Sequence, residues 1–119
     1  MDQMTTPQHK NMAAGAWEQL SFTEQMANCG SEVFRALRWR EKGKKAMETK
    51  AFERALELLD LTITSHIKAH HSTYELLRLR EVLCDYFVGD NEYGSTPDSL
   101  NKYYDFFSQK AARLRELRM

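Results

Sequence analysis

The sequence predicts an all-α protein, an antiparallel bundle of four main helices forming a single domain over residues 15–119 behind a flexible tail at 1–14. Three observations lead to this fold class. Apolar residues return every three or four positions in four separate segments, the period of a helix that buries one face. No segment alternates apolar and polar residues as a half-buried strand does. Five glycines and two prolines in 119 residues are too few for the frequent turns of a sandwich or barrel. A chain of this length buries one core without metal or disulfide staples.

The elements follow in order. Residues 1–14 are polar and aperiodic, the composition of a tail. Ser21-Phe22-Thr23-Glu24 is a capping box, in which hydroxyl and carboxylate each satisfy an orphan N–H of a helix start. Phe22, Met26, Cys29, Val33 and Leu37 then recur at helical spacing, with Phe34 and Ala36 widening the stripe. Gly43, among lysines, is the expected stop, because Gly accepts the left-handed conformation there. The second helix begins between Lys45 and Lys50 and places Phe52, Ala55, Leu56, Leu59 and Ile63 on one face. Ser72-Thr73-Tyr74-Glu75 predicts a second capping box, opening a third helix that turns Leu76, Leu79, Val82, Leu83, Tyr86 and Phe87 inward and closes at Gly89. After the loop 90–95, Thr96 caps a fourth helix with Pro97 in its first position, where no N–H is needed. Leu100, Tyr103, Tyr104, Phe107, Ala111 and Leu114 run along it.

Charge and chemistry narrow the function. Seventeen basic and seventeen acidic residues cancel, so the whole chain has no bias toward polyanions. The charges are nevertheless segregated. Arg35 to Lys50 holds seven cations and two acids, while Glu75 to Asp105 holds seven acids and three cations. Such blocks attract a partner, or one another across a fold or a dimer. No apolar run reaches the length of a membrane span, and the N-terminus lacks the basic start and apolar core of a signal peptide. Cys29 and Cys84 are therefore expected as reduced thiols in a cytoplasmic protein.

The segment Ser65 to Glu75 carries three of the four histidines. His66 and His70, four residues apart, would share a helix face and could chelate a transition metal, but a third ligand would have to come from Glu75 or Asp60 through the fold. HExxH and finger-type cysteine spacing are missing, so no metal and no cofactor is expected, and the histidines read as a solvated joint between helices two and three. Both cysteines fall in apolar stripes, where a thiol is an inert small hydrophobe. A phosphate loop, a GxSxG elbow and a dinucleotide fingerprint are likewise missing, and no catalytic residue is assigned. The stretch "RALRWREKGKK" interleaves cations with an aromatic ring. It makes Arg35, Arg38, Trp39, Arg40, Lys44 and Lys45 candidates for nucleic-acid contact by charge and base stacking.

Around Trp39 the chain resembles a tetratricopeptide repeat: Trp39, Gly43 and Ala55 reproduce its Trp, Gly and Ala spacing. Lys42 and Thr62 stand where that repeat prefers Leu and Ala, and Thr73, Leu77 and Gly89 one period later do not repeat the pattern. The resemblance implies one helical hairpin. The size and four-helix layout also resemble the HEPN bundles, small bacterial and archaeal proteins often paired with a nucleotidyltransferase, some of them ribonuclease toxins. Their signature, an Arg followed four to six residues later by His, is missing, since the next His after Arg54 is His66 and none follows Arg78 or Arg80. That resemblance implies architecture and an RNA- or nucleotide-associated module on the Arg35–Lys45 face, without ribonuclease activity.

The leading expectation is a non-enzymatic bundle acting through protein–protein contacts as a homodimer. Aromatic residues are in surplus in the C-terminal half, and positions 103, 104, 106 and 107 cover more of a helix than one buried stripe requires. Tyr93, Tyr103, Tyr104 and Phe107 are the expected interaction residues.

Overall fold

Helix ends dictate this architecture. The computed structural model describes residues 15–118, so the tail expected at 1–14 lies outside the described residues. A 3-10 turn at Ala16–Gln19 precedes α1 (Phe22–Glu41), α2 (Lys45–Lys68), α3 (Tyr74–Val88) and α4 (Pro97–Arg118). Among the described residues there is no strand, as the periodicity predicts. At the start of α1 the expected capping box forms. Ser21 Oγ accepts from the Glu24 N–H at 3.1 Å, and Glu24 Oε1 accepts from the Ser21 N–H at 3.0 Å. At its end Gly43 takes φ 72°, its N–H reaching the Arg40 carbonyl and that of Lys44 the Trp39 carbonyl. Those two bonds satisfy carbonyls left over by the last turn. They fold the chain straight back into α2.

The end of α2 repeats this motif with a residue ill-suited to it. His70 takes φ 58°, its N–H bonding the Ile67 carbonyl and that of His71 the His66 carbonyl. A side chain in the left-handed region crowds its own backbone and costs about 1 kcal/mol, which Gly avoids. His70→Gly is therefore expected to raise the melting temperature by a few degrees in a thermal denaturation scan; a lower midpoint would contradict the strain.

Ending α2 this way also displaces the next helix start. The capping box expected at Ser72–Glu75 does not form. Thr73 occupies the cap without a side-chain bond, and Ser72 Oγ only accepts from the Tyr74 N–H at 3.4 Å. Residues 69–71 are spent closing α2, so Ser72 sits one place too early. Thr96 does cap α4, exchanging two bonds with Ser99 at 3.0 and 2.9 Å.

Across the bundle α1 is central, packed against both α2 and α4, while α3 packs against α2 and borders α4 across a cleft. Residue numbers rise along α1 as they fall along its neighbours, so both pairs are antiparallel. Glu32 meets Arg54 and Arg40 meets Glu48 on α2, while Phe22 and Gly30 meet Phe107 and Tyr104 on α4. On α3, Phe87 and Arg80 face Phe52 and Asp60 of α2 in the same sense. Met26, Cys29, Val33, Ala55, Leu59, Leu83, Leu100 and Tyr104 fill the core. Leu56 is only half-buried, and Leu58, beside it, is the buried residue. The 3-10 turn is pinned from inside. Trp17 is 1% exposed, donates Nε1–H to Thr62 Oγ1 at 3.0 Å, and its carbonyl accepts from Gln25 Nε2 at 3.0 Å.

Candidate functional site

Arg35 and Arg38 on α1 and Lys42 at its C-cap lie at i, i+3 and i+7, which puts them on one face over two turns. Phe34 and Trp39 flank them, and the five side chains form one wall of a groove of about 670 Å³ between α1 and α4. The opposite wall carries Asn101, Asp105 and Ser108, at i, i+4 and i+7 along α4. Gly30 and Tyr104 form its floor, where the two helices approach most closely. The Arg38 guanidinium stands 5.7 Å from the Phe34 centroid and the Lys42 ammonium 5.4 Å from that of Trp39. Arg35 Nη1 lies 3.4 Å from the Glu32 carboxylate, whereas Arg38 and Lys42 make no ion pair among the described residues. Three cations facing the single carboxylate of Asp105 leave the groove electropositive.

No protein-family model, curated protein or solved structure matches the chain. The chemistry of the site therefore rests on its own residues.

The fold divides the six residues expected to contact nucleic acid. Arg35, Arg38 and Trp39 line the groove. Arg40 turns away. Its Nη1 donates to Glu48 Oε2 at 3.0 Å and to the Phe87 carbonyl at 3.4 Å, and the guanidinium stacks 4.8 Å from the Tyr86 centroid. It ties three helices together and is no free contact. Lys44 and Lys45 are exposed at the α1–α2 turn, outside the groove lining. Phe34 belongs to the groove although its spacing predicted core; it is 47% exposed. Lys42 was legible in the spacing of the basic stripe, but Asn101, Asp105 and Ser108 carry no local signal pairing them with α1.

Arg80, Glu81 and Asp85 of α3 line none of the grooves described. Arg80 pairs with Asp60 at 2.8 Å, Tyr93 donates its hydroxyl to Glu81 at 2.9 Å, and Asp85 accepts the N–H groups of Glu92 and Tyr93. The first ties α3 to α2, and the others hold the loop before α4. The deeply placed carboxylates are instead Glu32 and Glu48, paired with Arg54 and Arg40 at 3.2 and 3.0 Å. In the core, Cys29 Sγ lies 3.3 Å from the Tyr104 hydroxyl and 3.5 Å from the Ala55 carbonyl, which it reaches as donor. Burial pushes the Cys29 thiol up to about 12 and raises the Tyr104 phenol well above its usual range. Neither group supplies a nucleophile at neutral pH.

The histidines are rearranged. His66 approaches His71, with ring centroids 5.4 Å apart, and His70 takes the left-handed backbone. His66 also packs 4.9 Å from Phe22. Asp60, a proposed third ligand, is held by Arg80. Among the described residues no three His, Cys, Asp or Glu gather as a metal would require.

The expected interaction residues divide as well. Tyr104 faces inward and is 4% exposed, which removes it from a contact surface with a second chain; it sits on the buried side of α4 with Leu100 and Ala111. Phe107 is half-buried against the core. Tyr103 and Phe106 are exposed instead, and Tyr93 is exposed but tethered to Glu81. Among the described residues no helix is long and apolar enough to cross a membrane.

Proposed function

We propose that the protein is a non-enzymatic binding module that pairs with a second copy of itself along α3 and α4. The observation that carries this reading is an apolar cleft of about 230 Å³ between these helices, lined by Leu79, Val82, Leu100 and Tyr103. A four-helix arrangement normally seals that seam with interdigitated side chains. Here it stays open, and the exposed rings of Tyr103 and Phe106 stand beside it. A tyrosine with its apolar body exposed and its hydroxyl wet is well suited to an interface.

Charge supports a two-fold partner. Glu75 and Arg78 line the cleft one turn apart on α3, and neither makes an ion pair among the described residues. A two-fold axis between them sets Glu75 of one copy against Arg78 of the other, the self-complementarity an isologous interface needs. Light scattering at tens of micromolar is expected to report a dimer. Glu75→Arg should give monomers, and adding Arg78→Glu to that variant should restore the dimer. A strictly monomeric parent protein would end the proposal, as would a Glu75→Arg protein that still pairs.

A further inference from the structure

We infer that the α1–α4 groove is a binding site for a nucleotide unit, a phosphate joined to a nucleobase, presented either by a free mononucleotide or by single-stranded RNA. The groove lies on the flank of α4 away from the proposed dimer cleft, since Asn101, Asp105 and Ser108 face one and Ser99 and Tyr103 the other. The two sites are therefore independent.

The walls are chemically different, and the difference orients the ligand. Along α1 and its C-cap, Arg35, Arg38 and Lys42 form a basic row about 10 Å long. Arg38 and Lys42 are without carboxylate partners among the described residues, so a phosphate meets cations that need not break an existing ion pair. Phe34 and Trp39 alternate with this row, each within 6 Å of one of its cations. Rings interleaved with cations serve as a stacking platform for unpaired bases, because every base has a π-face. On α4, Asn101 offers both donor and acceptor, Ser108 a hydroxyl, and Asp105 an acceptor suited to an exocyclic amine. The Asp105 carboxylate also repels phosphate, so the phosphate belongs on the α1 wall and the base edge on the α4 wall. The volume falls within the usual range for a small-molecule or cofactor site.

Two tryptophans make the test direct. Trp17 is fully enclosed and Trp39 lines the groove, so a ligand there perturbs the emission of Trp39 alone. The full chain at low ionic strength would be titrated with adenosine monophosphate, a short single-stranded RNA and inorganic phosphate. Saturable quenching by the nucleotide or the RNA is expected, weakening as salt is added and vanishing in Trp39→Phe. An RNA that binds more tightly than the mononucleotide identifies the strand as the ligand, and equal affinities identify the free nucleotide. Arg38→Gln combined with Lys42→Gln should weaken binding by about tenfold without moving the melting temperature, since both residues are exposed. The proposal is overturned if neither nucleotide nor RNA quenches the parent protein. It is equally overturned if inorganic phosphate or a tryptophan-free acidic peptide binds as well as they do, or if the double variant binds undiminished.

Discussion

Gly30→Ala is expected to cost about 2 kcal/mol of stability, although alanine is the better helix former. A Cβ at position 30 would stand 2.7 Å from Tyr104 Cδ1 and 2.8 Å from its Cβ and Cγ. Rotating the Tyr104 ring relieves the first contact and leaves the Cβ contact untouched, so α4 itself has to retreat. Overpacking of this kind costs about 1–3 kcal/mol, against a propensity gain of up to about 1. The retreat would also pull the Tyr104 hydroxyl from Cys29. Urea denaturation reads the loss. Tyr104→Ala removes two of the three clashing atoms, so the double variant should lose less than the sum of the single variants. A Gly30→Ala protein as stable as the parent would mean that α1 and α4 are not this close.

The second large effect belongs to Trp17. Trp17→Ala is expected to cost about 3–5 kcal/mol, a substantial share of the roughly 5–15 that hold a domain together. The indole is the largest fully buried side chain, and its N–H is bonded to Thr62. Trp17→Phe keeps most of the apolar volume and leaves Thr62 with its own bond to the Leu58 carbonyl, so its cost should be clearly smaller. Thermal or chemical unfolding ranks the two variants. Equal, small losses would show that the 3-10 turn is not part of the core.

Helices were legible because their signals are local. The Ser21–Glu24 box, Gly43 as a stop and the Thr96-Pro97 start each depend on a handful of consecutive residues, and each stands where the spacing predicts. Two local signals in succession were harder. The Ser72 box lost its place because the preceding helix end consumed residues 69–71. Faces were legible less often. Four aromatics in five positions cannot all face inward, and only the position of α1 decides that Tyr104 is the one that does. Glu32 and Glu48 are buried against arginines of a neighbouring helix, Arg54 and Arg40, which no local window reveals. The groove follows the same logic. Its α1 wall could be read from the basic stripe, but its α4 wall is brought there from a distant stretch of the chain, beginning at Asn101.

The central position of α1 has a consequence for how this chain reaches its native state. Its packing against α2 involves residues close in sequence, joined by a three-residue turn at 42–44, whereas Cys29 and Tyr104 lie 75 positions apart. Contacts with short loops close early and those with long loops close late. Loop closure therefore favours the α1–α2 hairpin, and the α1–α4 contact over Gly30 has the longer loop to close. Both the basic groove and the apolar cleft have α4 as a wall. Neither exists until α4 has docked, so both form together with the α1–α4 contact.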